Sequence, residues 1–196
     1  MKSQKHWQRR QLLATAGAGL FMGANQALAA PDKLLTPTGQ AFDGIERHLN
    51  LHNLHTGELY QGVFWQNGHF IDEEVDNLWL LLRDHYNDEV GAIDAQAIDL
   101  LWKLQRLAQE HLGKSPTLHI VSAFRSEQTN NALRAKSSGV AKKSLHMQGR
   151  AIDLRVDGLS TQQLFRLARS LKMGGVGRYL KSVFIHVDTG RVRFWG

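Results

Sequence analysis

Hydrophobic residues recur along this chain with two periods, one near 3.6 residues and one of two, and the switches between them predict its elements. Val75, Leu78, Trp79 and Leu82 share one stripe of a helix predicted from about Asp72 to His85. A second helix is predicted from about Ala95 to His111, capped by Asp94, stopped by Gly113, and turning Ile98, Leu101, Leu104 and Ala108 inward. Glu127 to Lys136 is a short helix after Ser126, and Ser160 with Gln163 makes a capping-box pattern for a helix to about Leu171. Period-two and β-branched runs predict the strands: two from Arg47 onward joined at His55-Thr-Gly57, then Thr117 to Ala123, Arg150 to Val156 and Val183 to Asp188. Helices interspersed with mostly hairpin-connected strands predict a single α+β domain, with a small antiparallel sheet flanked by helices.

Two of those strands carry the chemistry. Side chains two apart on a strand share a face, so Asp153 stands with Ala151 and Arg155, opposite Ile152 and Leu154. His186 likewise shares a face with Phe184 and Asp188. If the two strands are neighbours, Asp153 and His186 point at one spot, and His146 reaches it from the loop ahead of Gly149. Two imidazoles and a carboxylate are ligands that zinc accepts, and three protein ligands leave a fourth position open to water. The pattern Ser144-Leu-His146-Met-Gln-Gly149-Arg-Ala151-Ile-Asp153 with Phe184-Ile-His186-Val-Asp188 is therefore that of a hydrolytic zinc centre, one ion per chain. His48, His52, His55, His69, His85, His111 and His119 show no such arrangement and are taken as surface or structural residues.

Two other features invite a functional reading that their context does not support. Met173-Gly-Gly-Val-Gly177-Arg-Tyr179 is glycine-rich like a phosphate loop, but it follows a helix and precedes a strand, the reverse of such cradles. It is read as a substrate-flanking loop or a tight connection. Arg134, Lys136, Lys142 and Lys143 form a solvated basic face, or a rim attractive to carboxylates.

Composition changes the picture at the N-terminus. Lys2, Lys5, Arg9 and Arg10 precede an Ala/Gly/Leu-rich stretch from Leu12 to Met22 and the small-residue sequence Ala27-Leu-Ala29, the marks of an export signal over residues 1–29. Its apolar part is too short and glycine-rich for a membrane span, and Arg9-Arg10-Gln-Leu-Leu13 favours the twin-arginine route over ordinary secretion, although Gln8 stands where a Ser or Thr usually precedes the pair. Residues 30–46 read as a linker and 47–196 as the domain, which is expected to work in the periplasm without a stable membrane span. The formal charge of +6 falls to +2 without the signal, and no nucleic-acid motif remains, so nucleic acid is not an expected partner. With no cysteine, the domain has neither disulfides nor a thiol nucleophile and must rest on an ordinary core.

Ser122-Ala-Phe-Arg125-Ser126, SLHMQGRAIDLR, GGVGRY and FIHVDTG, with Asn53-Leu-His-Thr-Gly57-Glu58 near the front, resemble motifs of the LAS-group zinc metallopeptidases. That group comprises D-Ala-D-Ala carboxypeptidases and murein endopeptidases, and the likeness is strongest to the MepK-type endopeptidases, over about Leu49 to Trp195. The resemblance implies that His146, Asp153 and His186 bind zinc, that Arg125 binds and polarises the scissile carbonyl, and that Ser144 helps position substrate. It implies peptidoglycan stem peptides as partners and cleavage of D-Ala–diaminopimelate or diaminopimelate–diaminopimelate cross-links, with a D-Ala-D-Ala-type carboxypeptidase as the alternative. Many relatives carry a Glu or His base two or three residues before the last ligand, where this chain has Phe184 and Val183. Asp188 is then the nearest carboxylate that could act as base or as partner to a ligand histidine, although Asp-Thr-Gly is also an ordinary turn signal. The missing base keeps open a third reading, a non-catalytic peptidoglycan-binding or regulatory module.

Overall fold

The computed structural model describes residues 46–196; the predicted export signal and the linker up to residue 45 lie outside them. β1 (Glu46–Asn53) and β2 (Leu59–Gln66) form a hairpin, and the short β3 (His69–Phe70) pairs with β2. After α1 (Asp72–Leu81) and α2 (Ala95–Leu112), β4 (Leu118–Ser122) enters the sheet parallel to β1. α3 (Glu127–Lys136), a 3-10 turn at Leu145–Gln148 and β5 (Ala151–Val156) follow, then α4 (Thr161–Ser170), β6 (Gly175–Tyr179), β7 (Phe184–Asp188) and β8 (Arg193–Trp195). The eight strands make one sheet in the order β3-β2-β1-β4-β5-β7-β6-β8, antiparallel except for the β1–β4 and β6–β8 pairs. The α+β class is as expected, but the sheet is larger than the sequence pattern suggested.

Alternation along the strands divides the sheet into two faces. Leu49, Leu51, Leu118, Ile120, Ile152, Leu154, Ile185 and Val187 are all buried. α2 and α4 supply the other half of this core through Ile98, Leu101, Leu104, Ala108, Leu164, Phe165 and Ala168. The predicted caps are present: Asp94 accepts from Gln96 N, Gly113 ends α2 at φ 72°, Ser126 accepts from Thr129 N, and Ser160 and Gln163 form a capping box. No described helix is long and apolar enough to cross a membrane.

Two departures from the sequence pattern have tertiary causes. α1 stops at Leu81 rather than near His85, because Asp84 turns inward. Its buried carboxylate accepts from Ser126 N at 2.9 Å, Ser126 Oγ at 2.8 Å and Tyr86 N at 3.0 Å. Leu82 O meanwhile accepts from Phe124 N at 2.9 Å, so the chain after α1 is tied to the segment after β4 instead of to its own next turn. The glycine-rich run is likewise not a loop: Gly175–Tyr179 is β6, paired with β7 from Val176↔Val187 to Tyr179↔Phe184. Its glycines serve close packing. A Cβ on Gly174 would lie 1.7 Å from Asp188 O, and one on Gly177 would lie 2.4 Å from the Trp195 ring.

Asp84→Ala would leave the buried Ser126 amide and hydroxyl without their acceptor. The expected cost is about 3 kcal/mol, the order found when buried groups lose a charged partner, read as a lower urea midpoint with unchanged m. A midpoint equal to wild type would show that the α1–α3 tie contributes nothing to stability.

Candidate metal centre

β5 and β7 are antiparallel neighbours in a register that makes Asp153 and His186 direct partners. His146 comes from the 3-10 turn just before β5, where three local features set its position. Ser144 caps the turn by accepting from His146 N at 3.3 Å. Gly149 closes it at φ 63°, where a Cβ would sit 2.0 Å from Ala92 O. Gly149 O accepts from Asp94 N at 3.0 Å, tying the turn to the start of α2. The spacing between the two sequence motifs is filled by α4, β6 and the turn into β7, and the loop glycine is required both by its dihedral and by close backbone approach.

His146, Asp153 and His186 each offer one ligand atom, all within 4.8 Å of one another, and these are the residues among those described that could hold a metal ion. His186 Nδ1 lies 2.8 Å from Asp153 Oδ1 and 3.3 Å from His146 Nε2; His146 Nε2 lies 3.4 Å from Asp153 Oδ1. The outer nitrogen of each ring has its own acceptor. His146 Nδ1 donates to Ala123 O at 2.7 Å, and His186 Nε2 donates to Asp188 Oδ2 at 3.0 Å. Those partners assign the tautomers and turn the inner nitrogen lone pairs toward one point, which is how metal-binding histidines are commonly oriented. The donor set and its arrangement fit a borderline metal such as zinc.

Burial works against charge on His186, but its hydrogen bonds to Asp153 and Asp188 outweigh that and raise it to about 9. Burial likewise works to raise Asp153, yet the two histidines hold it well below the usual carboxylate range. Both carboxylates thus favour the protonated form of the His186 ring, whose Nδ1 lies 2.8 Å from Asp153 Oδ1.

Asp188 lies behind the ring, on the side away from the cluster. It is fully buried, and its carboxylate accepts from both terminal nitrogens of Arg193 at 3.0 and 2.7 Å, from Gly175 N at 3.1 Å and from Gly190 N at 2.8 Å, as well as from His186. Burial tends to raise its pKa, but the hydrogen bonds from His186, Arg193 and Gly190 keep it well below the usual range. Arg125 stands on the opposite flank. Its amide donates to His146 O at 3.2 Å, and its half-buried guanidinium makes one weak bond, to Ser122 Oγ at 3.4 Å. Ser144 is buried with its hydroxyl facing the turn it caps.

Nothing in the linear sequence marks Ala123 O, Arg193 or the chain between Leu82 and Asp94 as supports of the site. A backbone acceptor has no residue type to announce it. Arg193 was hidden among the basic residues near the C-terminus, and only the close approach of β6 and β8 reveals it. The basic residues Arg134, Lys136, Lys142 and Lys143 are all exposed, on α3 and the loop after it.

A family model described as Peptidoglycan L,D-endopeptidase MepK matches residues 43–195. The protein of that name from Escherichia coli strain K12 is 39% identical over 187 residues, covering 95% of this chain and 96% of its own length. The Shigella flexneri protein of the same name has the same identity and coverage.

Metal binding should be linked to pH, with a sign that follows from His186. Its ring is protonated below about 9 and must be neutral to bind, so apparent zinc affinity should fall as pH falls, by roughly tenfold between pH 8 and pH 7. Zinc titrations at the two pH values, with proton release followed in parallel, test this. Equal affinity without proton release would overturn the imidazolium assignment. His146→Ala should lose most bound metal while remaining folded, as elemental analysis and circular dichroism would report.

Proposed function

This chain belongs to the peptidoglycan L,D-endopeptidase MepK family, and from that premise and the geometry of the centre we propose that it is a zinc-dependent murein endopeptidase of the periplasm. The observation that carries the reading is the convergence of His146 Nε2, Asp153 Oδ1 and His186 Nδ1, each ring locked by a hydrogen bond from its outer nitrogen. Among cross-links, the relatives' L,D designation favours the bond between the L-centre carbonyl of one diaminopimelate and the D-centre amine of the next. Zinc bound by these three residues would acidify water and withdraw charge from a carbonyl oxygen.

The chain's own residues have separate tasks. Arg125, with most of its donors unengaged among the described residues and its backbone tied to His146, is suited to bind the scissile carbonyl oxygen and stabilise the negative charge that develops there. Asp188 is the positioning residue for His186 rather than the base. In support, the ring stands between Asp188 and the cluster, and the carboxylate is already engaged by Arg193, Gly175 and Gly190. Ser144 holds the turn of the first ligand and remains the candidate for substrate positioning that the family resemblance implies.

Digestion of purified sacculi by the zinc-loaded protein tests the function. Loss of cross-linked dimers is expected. Loss of terminal D-Ala instead would mean a carboxypeptidase, and binding without any change in the muropeptides would mean a non-catalytic module. Two variants test the roles. Arg125→Lys keeps the charge but loses the planar fork, so turnover should fall by roughly 10²- to 10³-fold at unchanged zinc content. Asp188→Asn should weaken zinc affinity by roughly 10- to 100-fold, with activity restored in excess zinc. A large rate loss that excess zinc does not restore would return Asp188 to the role of base.

A further inference from the structure

The sheet face that carries the metal ligands is covered at one end and open at the other. Asp153 is buried against His146 and His186, whereas Arg155, two residues along the same regular strand and on the same face, is exposed. That spacing separates the two Cα atoms by about 7 Å along the strand. A guanidinium at this distance can reach a group attached next to a bond held at the metal. Among the described residues the Arg155 side chain makes no hydrogen bond or ion pair. The nearby carboxylate of Asp157 is engaged with His119 Nε2 at 3.0 Å, and His119 is the cross-strand partner of Arg155. Beyond the metal ligand His186, the same face continues into Trp195, whose ring lies 5.4 Å from the imidazole, and into the stacked pair Tyr179 and Phe184 at 4.8 Å. The open end of the face thus combines one unneutralised planar cation with an aromatic shelf.

We propose that Arg155 is a specificity-determining residue that binds the free carboxylate carried by the substrate beside its scissile nitrogen. This rests on the endopeptidase reading and names what the site recognises in its substrate. In a diaminopimelate cross-link the amine that leaves sits on a carbon that also bears a carboxylate. Cleavage therefore presents an anion one carbon away from the scissile bond, on the leaving side. A planar fork pairs with a carboxylate through two parallel hydrogen bonds, and the aliphatic arm of diaminopimelate can lie on the aromatic shelf. The contact holds in the bound substrate and in the transition state alike, so it acts mainly on KM.

The test compares cross-linked muropeptide dimers with this carboxylate free or amidated. The wild-type protein should cut the free form with a kcat/KM roughly tenfold higher, a preference that shrinks at high salt. Arg155→Gln should abolish the preference by raising KM for the free form, with kcat and zinc content unchanged, and Arg155→Lys should retain part of it. Equal cleavage of both dimers by wild type, or an undiminished preference in Arg155→Gln, would overturn the proposal while leaving the endopeptidase reading intact. Equilibrium binding of the same dimers to the full chain, with chelator present to prevent turnover, separates the two ideas. A free-carboxylate preference in binding that Arg155→Gln removes would uphold the recognition role even if no cleavage occurred; binding without preference would overturn it.

Discussion

The structure depends on one imidazole held between two buried carboxylates. His186 faces Asp153 on one side and Asp188 on the other, at 2.8 and 3.0 Å. Removing two anions from water is costly unless each finds charge and hydrogen bonds in return. Here Arg193 pairs with Asp188 through both terminal nitrogens, and His186 Nδ1 stands 2.8 Å from Asp153 Oδ1. Asp188 is therefore compensated by Arg193 as well as by the ring, and the two carboxylates together favour a positive charge at His186. Such an arrangement keeps the donors together before the metal arrives, which reduces the ordering that binding must otherwise accomplish.

Backbone closeness makes this possible. Asp188 reaches its amide donors because Gly174 and Gly175 let β6 run against the end of β7 with no Cβ between them. A side chain at residue 175 would begin 2.3 Å from the Arg193 guanidinium and 2.4 Å from the Asp188 carboxylate. On the other flank the irregular register between β4 and β5 brings Ser122 opposite Asp153. The chain then turns so that Ala123 O meets His146 and Arg125 N meets His146 O. His146 and Arg125 are consequently not independent features. They are two ends of one hydrogen-bonded crossing, and Asp84 anchors that crossing from behind through Ser126.

The segment from Leu82 to Asp94 joins these parts. It supplies Leu82 O and Asp84 to the stretch after β4, packs Gly91 against Phe124, and sends Asp94 to Gly149, Arg150 and Thr189. Asp94 also caps α2, so the helix that fills the core and the loop that carries His146 share one residue. A disturbance in the core can thus shift His146 without any direct contact with it.

The local rules were legible in the chain itself. The caps at Asp94, Ser126 and Ser160, the alternation that puts Asp153 and Arg155 on one face, and the two histidines at the ends of paired motifs depend on neighbours within a few residues, which a linear pattern records. That β5 and β7 lie side by side with Asp153 opposite His186 could only be assumed, because strand pairing across 33 residues leaves no mark in either strand. The glycine-rich run looked like a loop because glycine lowers strand propensity; close packing against Asp188 and Trp195 overrides that preference. Asp188 read as a base or as a turn residue from its place two beyond His186. Which side of the ring it occupies, and its pairing with Arg193, are decided by tertiary packing, since the same strand face admits either orientation until β6 and β8 close over it.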